Sequence, residues 1–514
     1  MTPALRQVLS RPGWVQPHNP ALQIDFAGNR AWNGFSVVPP ESLLTVSRAS
    51  VAYQDDLFGN WREWPANTLR CSDKGALIEE ARTNSIRNNS MQGAVAPNTA
   101  PTNWSGFAAA QSNVSHTIIG TGTENGIDYI EARFSGTPSA TTTNTINFET
   151  TTQVAATIGQ TWAVSYFAKL VAGALTNTTL RIQMVERNSG GTSITTGNVV
   201  VVPTNAALGT QRFPFLRTLT NNLTAFINFQ FAYSVTNGLA VDFTVRIGWP
   251  QLENHNINAT AASVVVTTGG AAYVNGDTIT LTGGTGTNIV LTVTNAIAGI
   301  IQAGGVSITN AGSYTAAPAS PVAQGSTSGI GTGATFTITW TDNAAKGFAT
   351  SPIRTTSAAV TRAADADRNT LAVPASAVVL SATTAPGVGS ANQVLWQYDD
   401  GTENNRIRVV RETSTNLRAI VTSGGVEQAN LDLSTVANST GFKMGLRWGA
   451  NDFAATLNGA AVVTDALGAV PSGLTTQRVG SNSTSTSQWN NVSRSNTQIL
   501  AGVSNEALRD MTRP

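Results

Sequence analysis

Charge is scarce in this chain. Asp, Glu, Lys and Arg make up 11% of its 514 residues, against about 25% in ordinary soluble proteins. The formal net charge is +1, which offers no field for nucleic acid or for an anionic membrane surface. There is a single cysteine, Cys71, so an intrachain disulfide is excluded. No histidine lies near it in sequence, and it reads as a small buried hydrophobe rather than a nucleophile. His18, His116 and His255 lie in separate segments without ligand spacing, so no metal site is expected. No apolar run approaches the roughly 20 residues of a membrane span, and no membrane insertion is expected. The opening residues, MTPALRQVLSRPGW, lack the apolar core of a secretory signal. Catalytic signatures are missing as well: no GxSxG, HExxH or P-loop occurs. The facing carboxyl pair of a glycosidase is not recognisable in a strand pattern. The expectation is a protein without enzymatic activity and without a cofactor.

What the chain does have is Thr, Ser, Asn and Gly around strand-sized apolar runs, a composition suited to antiparallel β structure with many turns. Its length allows roughly three or four domains. In residues 101–256 the period-2 alternation is sustained. TWAVSYFAKL sets Trp162, Val164 and Tyr166 against Ala163, Ser165 and Phe167. LRIQMVER sets Leu180, Ile182 and Met184 against Arg181 and Gln183, and AFINFQF sets Ile227, Phe229 and Phe231 against Phe226, Asn228 and Gln230. Such alternation marks sheets with one buried and one wet face, and roughly eight or nine of these strands predict a two-sheet sandwich or jelly roll.

From Ile257 to Thr341 only Asp277 carries a formal charge. The residues on either side read as two halves of one motif, so residues 257–345 are expected to be a small β domain inserted into a larger one. Within it, TTGGAAYVNGDTITLTGG is echoed by TNAGSYTAAPASPVAQGS, each copy with a Tyr (Tyr273, Tyr314) between Gly-containing turns. Residues 1–100 hold four of the eleven tryptophans, Trp14, Trp32, Trp61 and Trp64, together with several prolines. They are expected to be irregular and to need a covering surface. That surface is either one of the chain's own β domains or a partner chain. A further β domain is expected over 367–514, with Asp399-Asp400-Gly401 turning a hairpin and Ser504 capping a short terminal helix. The whole is expected to be all-β and multidomain.

Three stretches resemble the N-terminal region of bacteriophage head-spike and tail-fibre-type virion proteins. The first holds Ser47-Arg48-Ala49-Ser50, Tyr53, Asp55, Ala66-Asn67, Arg70 and Leu77 to Asn84. The second is Trp249-Pro250-Gln251-Leu252-Glu253, and the third is Ala349 to Thr355 followed by Thr361-Arg362-Ala363-Ala364-Asp365. In that family the second and third stretches run together and close a carbohydrate-binding-module-like jelly roll, here 101–256 with 346–366. The C-terminal part is similar to concanavalin A/laminin-G-like jelly rolls through Gly445-Leu446-Arg447-Trp448, Leu457-Asn458-Gly459 and Arg478-Val479-Gly480-Ser481. The resemblance implies a structural virion protein of a tailed phage, a head fibre, spike or tail fibre, assembled in the host cytoplasm. Its implied partners are capsid, portal, collar or tail proteins, further copies of itself as a homotrimer, and host-surface glycans. A ligand-free decoration or collar protein and a polysaccharide depolymerase are the alternatives.

Two sets of side chains stand out. Arg48, Arg82, Arg354 and Arg362 lie near Glu79, Glu80, Glu253 and Asp365 in the resembling stretches, and are read either as pairs joining segments or as solvated surface. The second set is a candidate glycan contact on the C-terminal jelly roll: Trp489, Asn490 and Asn491, with Asp399, Asp400 and Asn404 from the acidic turn. A Trp in SNSTSTSQWNNVS offers an apolar ring beside amide and hydroxyl partners. Packing of Trp489 under its own loop is the alternative. Trp104, Trp162 and Trp396 are further stacking candidates, with the core as the competing place for each.

Overall fold

The computed structural model describes residues 13–15, 18, 20–255, 261–316, 318, 320–340, 349–387, 392–412, 415–485, 487–500 and 502–514. The chain is all-β and multidomain, with one α-helix among the described residues, Asn505–Met511. Ser504 Oγ caps that helix by accepting from the backbone N–H of Ala507 at 3.1 Å, as the sequence predicts.

In the first sandwich, one sheet runs Val114–Glu124, Ile127–Gly136, Val241–Asn254, Thr161–Ala174 and Arg212–Thr218. The other runs Thr142–Asn147, Phe226–Val235, Thr178–Arg187 and Ser193–Val200, with Val154–Ala155 beside Phe226–Val235. Between them Trp162, Val164, Tyr166, Leu180, Ile182, Met184, Phe229 and Phe231 form one core, the face that alternation assigns to the interior. Ile86, Met91, Trp104 and Phe107 join it, so the sandwich begins before residue 101. The opposite face of Thr161–Ala174 is not wet as expected. Phe167 is buried with Tyr53, Leu208 and Trp249, because the N-terminal segment lies across it.

The second sandwich pairs Asn491–Ile499, Ala377–Thr384, Gly441–Trp448, Phe453–Leu457 and Val463–Asp465 in one sheet. In the other it pairs Val426–Thr435, Asn416–Ser423, Arg406–Arg411, Gln393–Asp399, Thr476–Val479 and Ala366–Thr370. That last strand crosses the expected boundary at 366/367. The N-terminal segment is not irregular: its short strands complete both sheets. Leu22–Asp25 and Gly75–Ile78 both pair with Asn491–Ile499, through Leu22↔Gln498 and Ile78↔Asn491. Thr45–Ser47 pairs with Ala366–Thr370. An added strand satisfies backbone groups that an open sheet edge leaves unpaired.

Residues 261–340 form their own six-stranded sheet, in the order Ala261–Ala271, Thr332–Trp340, Val322–Thr327, Thr278–Leu281, Val290–Val293 and Val306–Asn310. Tyr273 and Tyr314, the paired tyrosines of the sequence echo, both lie in its separate core with Ile279, Leu291 and Phe336. The first and last strands pair through Ala261↔Trp340, so the chain enters and leaves at one place. The expected ends of this domain, 256/257 and 345/346, lie outside the described residues.

Candidate functional site

Where the N-terminal segment, both sandwiches and the strand after the insert meet, charged side chains are buried together. Arg48, Arg70, Glu79, Glu253, Arg362 and Asp365 are each no more than 3% exposed. Arg48 Nη1 reaches Asp365 Oδ1 at 2.9 Å. Arg70 pairs with Glu79 Oε2 at 2.9 Å and with Asp365 through its other terminal nitrogen, while Arg362 stands 3.1 Å from Glu79. Ser351 donates to Glu79 through its N–H at 2.7 Å and its hydroxyl at 2.5 Å. Burial alone would raise the Glu79 carboxyl, but Arg362 and Arg70 outweigh it and hold the group at about 2. Glu253 is likewise held at about 2, against its burial, by His255 and Thr350. The two halves of the split motif close on each other: Gln251 Oε1 accepts from the N–H of Ile353 at 2.7 Å. Of the four expected arginines, Arg48 and Arg362 belong to this cluster. Arg82 pairs with Glu80, and Arg354 reaches Asp128 at 2.7 Å. Arg70 at the centre was visible only as part of the resembling motif. The arrangement joins segments, and its carboxylates are occupied.

The expected C-terminal glycan patch does not assemble. Trp489 is fully buried in the core of the second sandwich, where its Nε1 donates to Thr384 O at 2.9 Å and its ring meets Phe442 edge-on. Asn490 is 4% exposed, and its Oδ1 accepts from the N–H of Glu80 at 2.9 Å. Asn491 donates to Ala385 O at 2.8 Å. Asp399 is buried under a two-pronged contact from Arg478, 2.7 and 3.1 Å. Asp400 and Asn404 stay on the accessible turn, where Asp400 Oδ2 accepts from Asn405 at 2.8 Å. The polar letters around Trp489 mislead because Ser481, Asn482 and Gln488 are themselves buried. Trp104, Trp162 and Trp396 are also buried, so none of the four candidate rings is open for stacking.

A hydroxyl-lined surface lies at one end of the first sandwich. Three strand ends converge there, with Thr143↔Ser234 and Thr179↔Ser234 as register partners. They enclose a cavity of about 460 Å³ lined by Thr141 to Thr143, Thr176 to Thr179, Ser234 to Thr236 and Leu239. Its lining carries hydroxyls and one amide and no titratable side chain. Thr143 and Ser234 hydroxyls meet at 2.9 Å, Arg181 Nε donates to Ser234 at 3.3 Å, and Arg181 Nη1 donates to Asn198 at 2.9 Å. Thr178 Oγ1 is buried with no hydrogen-bond partner among the described residues. Beyond this stripe, Gln183 donates to Gln230 at 2.6 Å and Gln230 to Asn147 at 2.7 Å. Such a surface can exchange hydrogen bonds with a neutral polyhydroxyl ligand and has no group to move a proton. Sequence reasoning placed Arg181, Gln183, Asn228 and Gln230 on the outer face but did not single out this end. The available signal was threonine runs, 141–143 and 178–179, at the starts of two strands. Among the described residues no group of His, Cys, Asp and Glu is arranged to hold a metal.

No family model matches the chain. The uncharacterized protein VP1 of Micromonas pusilla reovirus (isolate Netherlands/2005) is 41% identical over 108 residues, which cover 16% of this chain and 6% of that protein. The match therefore spans a small part of that relative. Among solved structures, the enzymatically active domain of bacteriophage CBA120 tailspike protein 4 is 13% identical with a TM-score of 0.20, covering 30% of this chain and 19% of its own. A CBM4 structure is 16% identical with a TM-score of 0.21, over 33% of this chain and 99% of its own. The tandem CBM22-1-CBM22-2 domain of Paenibacillus barcinonensis Xyn10C is 10% identical with a TM-score of 0.21, over 83% of this chain and 96% of its own. At these scores the likenesses carry no argument about activity.

Proposed function

We propose that the chain is a structural virion protein of a tailed bacteriophage, a head fibre, spike or tail fibre, that binds host-surface glycans without cleaving them. The observation that carries the binding half is the cavity lined by threonine and serine hydroxyls without a titratable group. The virion half rests on the resembling stretches, whose Arg48, Arg70, Glu79, Arg362 and Asp365 form one buried cluster. The partners proposed from the same resemblance are capsid, portal, collar or tail proteins, and further copies of the chain as a homotrimer. Of the tryptophans in residues 1–100, Trp61 is covered by one of the chain's own β domains: it donates to Gly209 O at 3.1 Å and packs on Phe167. Trp32 is buried within the chain.

Glycan-array binding by the purified chain tests this reading, with a Thr143→Val/Ser234→Ala variant beside it. Binding lost in the variant, with the unfolding midpoint unchanged, is the expected result. No binding to any glycan would favour a ligand-free decoration protein. Shortening of a bound polysaccharide would favour a depolymerase.

A further inference from the structure

A second cavity lies in the N-terminal segment, away from the first. Strands Ala52–Asp55 and Trp61–Trp64 form a two-stranded ribbon with the register Ala52↔Trp64 and Gln54↔Arg62. Side chains alternate along it. Tyr53 packs on Trp249, ring centres 4.9 Å apart, and this fixes the ribbon to the first sandwich. Gln54, Arg62 and Trp64 share the opposite face. That face floors a cavity of about 490 Å³, walled by residues 27–29, 56, 58 and 71–73. The volume suits a small ligand.

Three observations specify what fits. Gln54 is 2% exposed, and its Nε2 donates to Ser72 Oγ at 3.0 Å and Gly75 O at 2.8 Å, which fixes the amide. Its Oε1 then has no donor, and Trp64 Nε1 has no acceptor, among the described residues, and both atoms are closed to solvent until a side chain moves. One orphan needs a donor and the other an acceptor, and a hydroxyl supplies both. Phe58, which also lines the cavity, is 75% exposed, an apolar ring left in solvent. Arg62 stands exposed at the rim, and Asp56 and Asp73 also line the cavity. Two carboxylates against one guanidinium disfavour an anionic ligand. Trp64, like Trp14 and Trp61, is only partly buried, and its side chain lines this cavity.

We infer that this cavity binds a neutral pyranose unit, with small side-chain adjustments of Gln54 and Trp64. A sugar hydroxyl donates to Gln54 Oε1, a sugar oxygen accepts from Trp64 Nε1, Arg62 donates at the rim, and the C–H face packs on Phe58. The site is independent of the threonine-lined cavity. Its test uses the full chain labelled with fluorotryptophan and read by fluorine NMR, with the Trp64 signal identified by its loss in Trp64→Phe. Galactose, glucose and mannose are titrated to tens of millimolar, with galacturonate as the charged control. At least one neutral sugar should shift the Trp64 signal saturably. A Phe58→Ala/Arg62→Ala variant, altered only at exposed positions, should bind that sugar about tenfold more weakly. The Thr143→Val/Ser234→Ala variant should bind it unchanged. An unmoved Trp64 signal with every sugar overturns the inference, even if glycan binding elsewhere survives. So does tighter binding of galacturonate, or undiminished binding in the Phe58/Arg62 variant.

Discussion

The buried junction and the inserted sheet are held together in opposite ways. At the junction, side chains from distant stretches of chain meet: Arg48 pairs with Asp365 across 317 positions, and Arg70 with Asp365 across 295. The insert has one charged residue among those described, Asp277, whose carboxylate accepts from its near neighbour Val274 at 3.0 Å. All of its sheet partners come from within 261–340. A contact that spans the chain orders every segment it touches, whereas a local core orders only itself. Damage to the junction should therefore spread through the molecule, and damage to the insert should stay where it is made.

Arg70→Ala is the largest expected break. It leaves Glu79 and Asp365 buried without their shared partner, and removing one member of a buried pair costs about 3–5 kcal/mol. Chemical denaturation should show the two sandwiches destabilised together, with the insert transition in place. A loss confined to one sandwich would mean that the junction is local after all. Arg70→Met is the sharper control, since an apolar replacement of similar length avoids a cavity while still removing the guanidinium that Glu79 and Asp365 share, leaving each with one arginine.

Acidity should divide the two regions next. Glu79 and Glu253 lie at about 2 in the folded chain against an ordinary 4.5. Their contribution is present above 4.5 and is lost as the pH falls toward 2. Asp367 runs the other way: burial first, then the charge of Asp365, push it from 3.8 up to about 8. The contribution of its protonated form is complete below 3.8 and is lost as the pH rises through 8. Junction stability should therefore fall on both sides of a weakly acidic optimum. Asp367→Asn should flatten the alkaline limb and leave the acid limb. An unchanged alkaline limb in that variant would remove Asp367 from the explanation. Glu79, Glu253 and Asp367 all lie outside the insert, whose own transition should follow neither limb.

How much of this was legible in the sequence divides along the same line. Period-2 runs showed the core faces of Thr161–Ala174, Thr178–Arg187 and Phe226–Val235, because one buried face imposes local alternation. The loss of charge after Asn256 and the split motif pointed to an inserted unit, and the Arg and carboxylate residues of the resembling stretches do meet. Long-range pairing left no local trace. Nothing near Leu22 announces Gln498 as its partner, and nothing near Arg70 announces Asp365. The covered outer face at Phe167 depends on the same distant segment. Trp489 failed for a related reason. Its polar neighbours are buried by backbone packing that sequence polarity does not record, so the sequence leaves the ring between a glycan contact and packing under its own loop, and the structure places it in the core.

The smallest expected effect comes from the largest deletion. Joining Asn256 to Lys346, positions outside the described residues, removes the insert with all its sheet partners. On the side that remains, Glu253 accepts from the N–H of Thr350 at 3.0 Å, so the described residues flanking the deletion already lie close together. Closing such a gap changes loop entropy only slowly with length, about 0.6 kcal/mol per doubling. Independent units add to within about 0.3–0.5 kcal/mol, so the unfolding midpoint of the remaining chain should hardly move. Loss of cooperative unfolding in the deletion would contradict the separation of the two regions. The decisive form is a cycle in which Arg70→Ala is measured with and without the insert. Equal costs in the two backgrounds make junction and insert energetically independent. A difference well above about 0.5 kcal/mol would show that the insert feels the junction through contacts that neither its sheet nor its core displays.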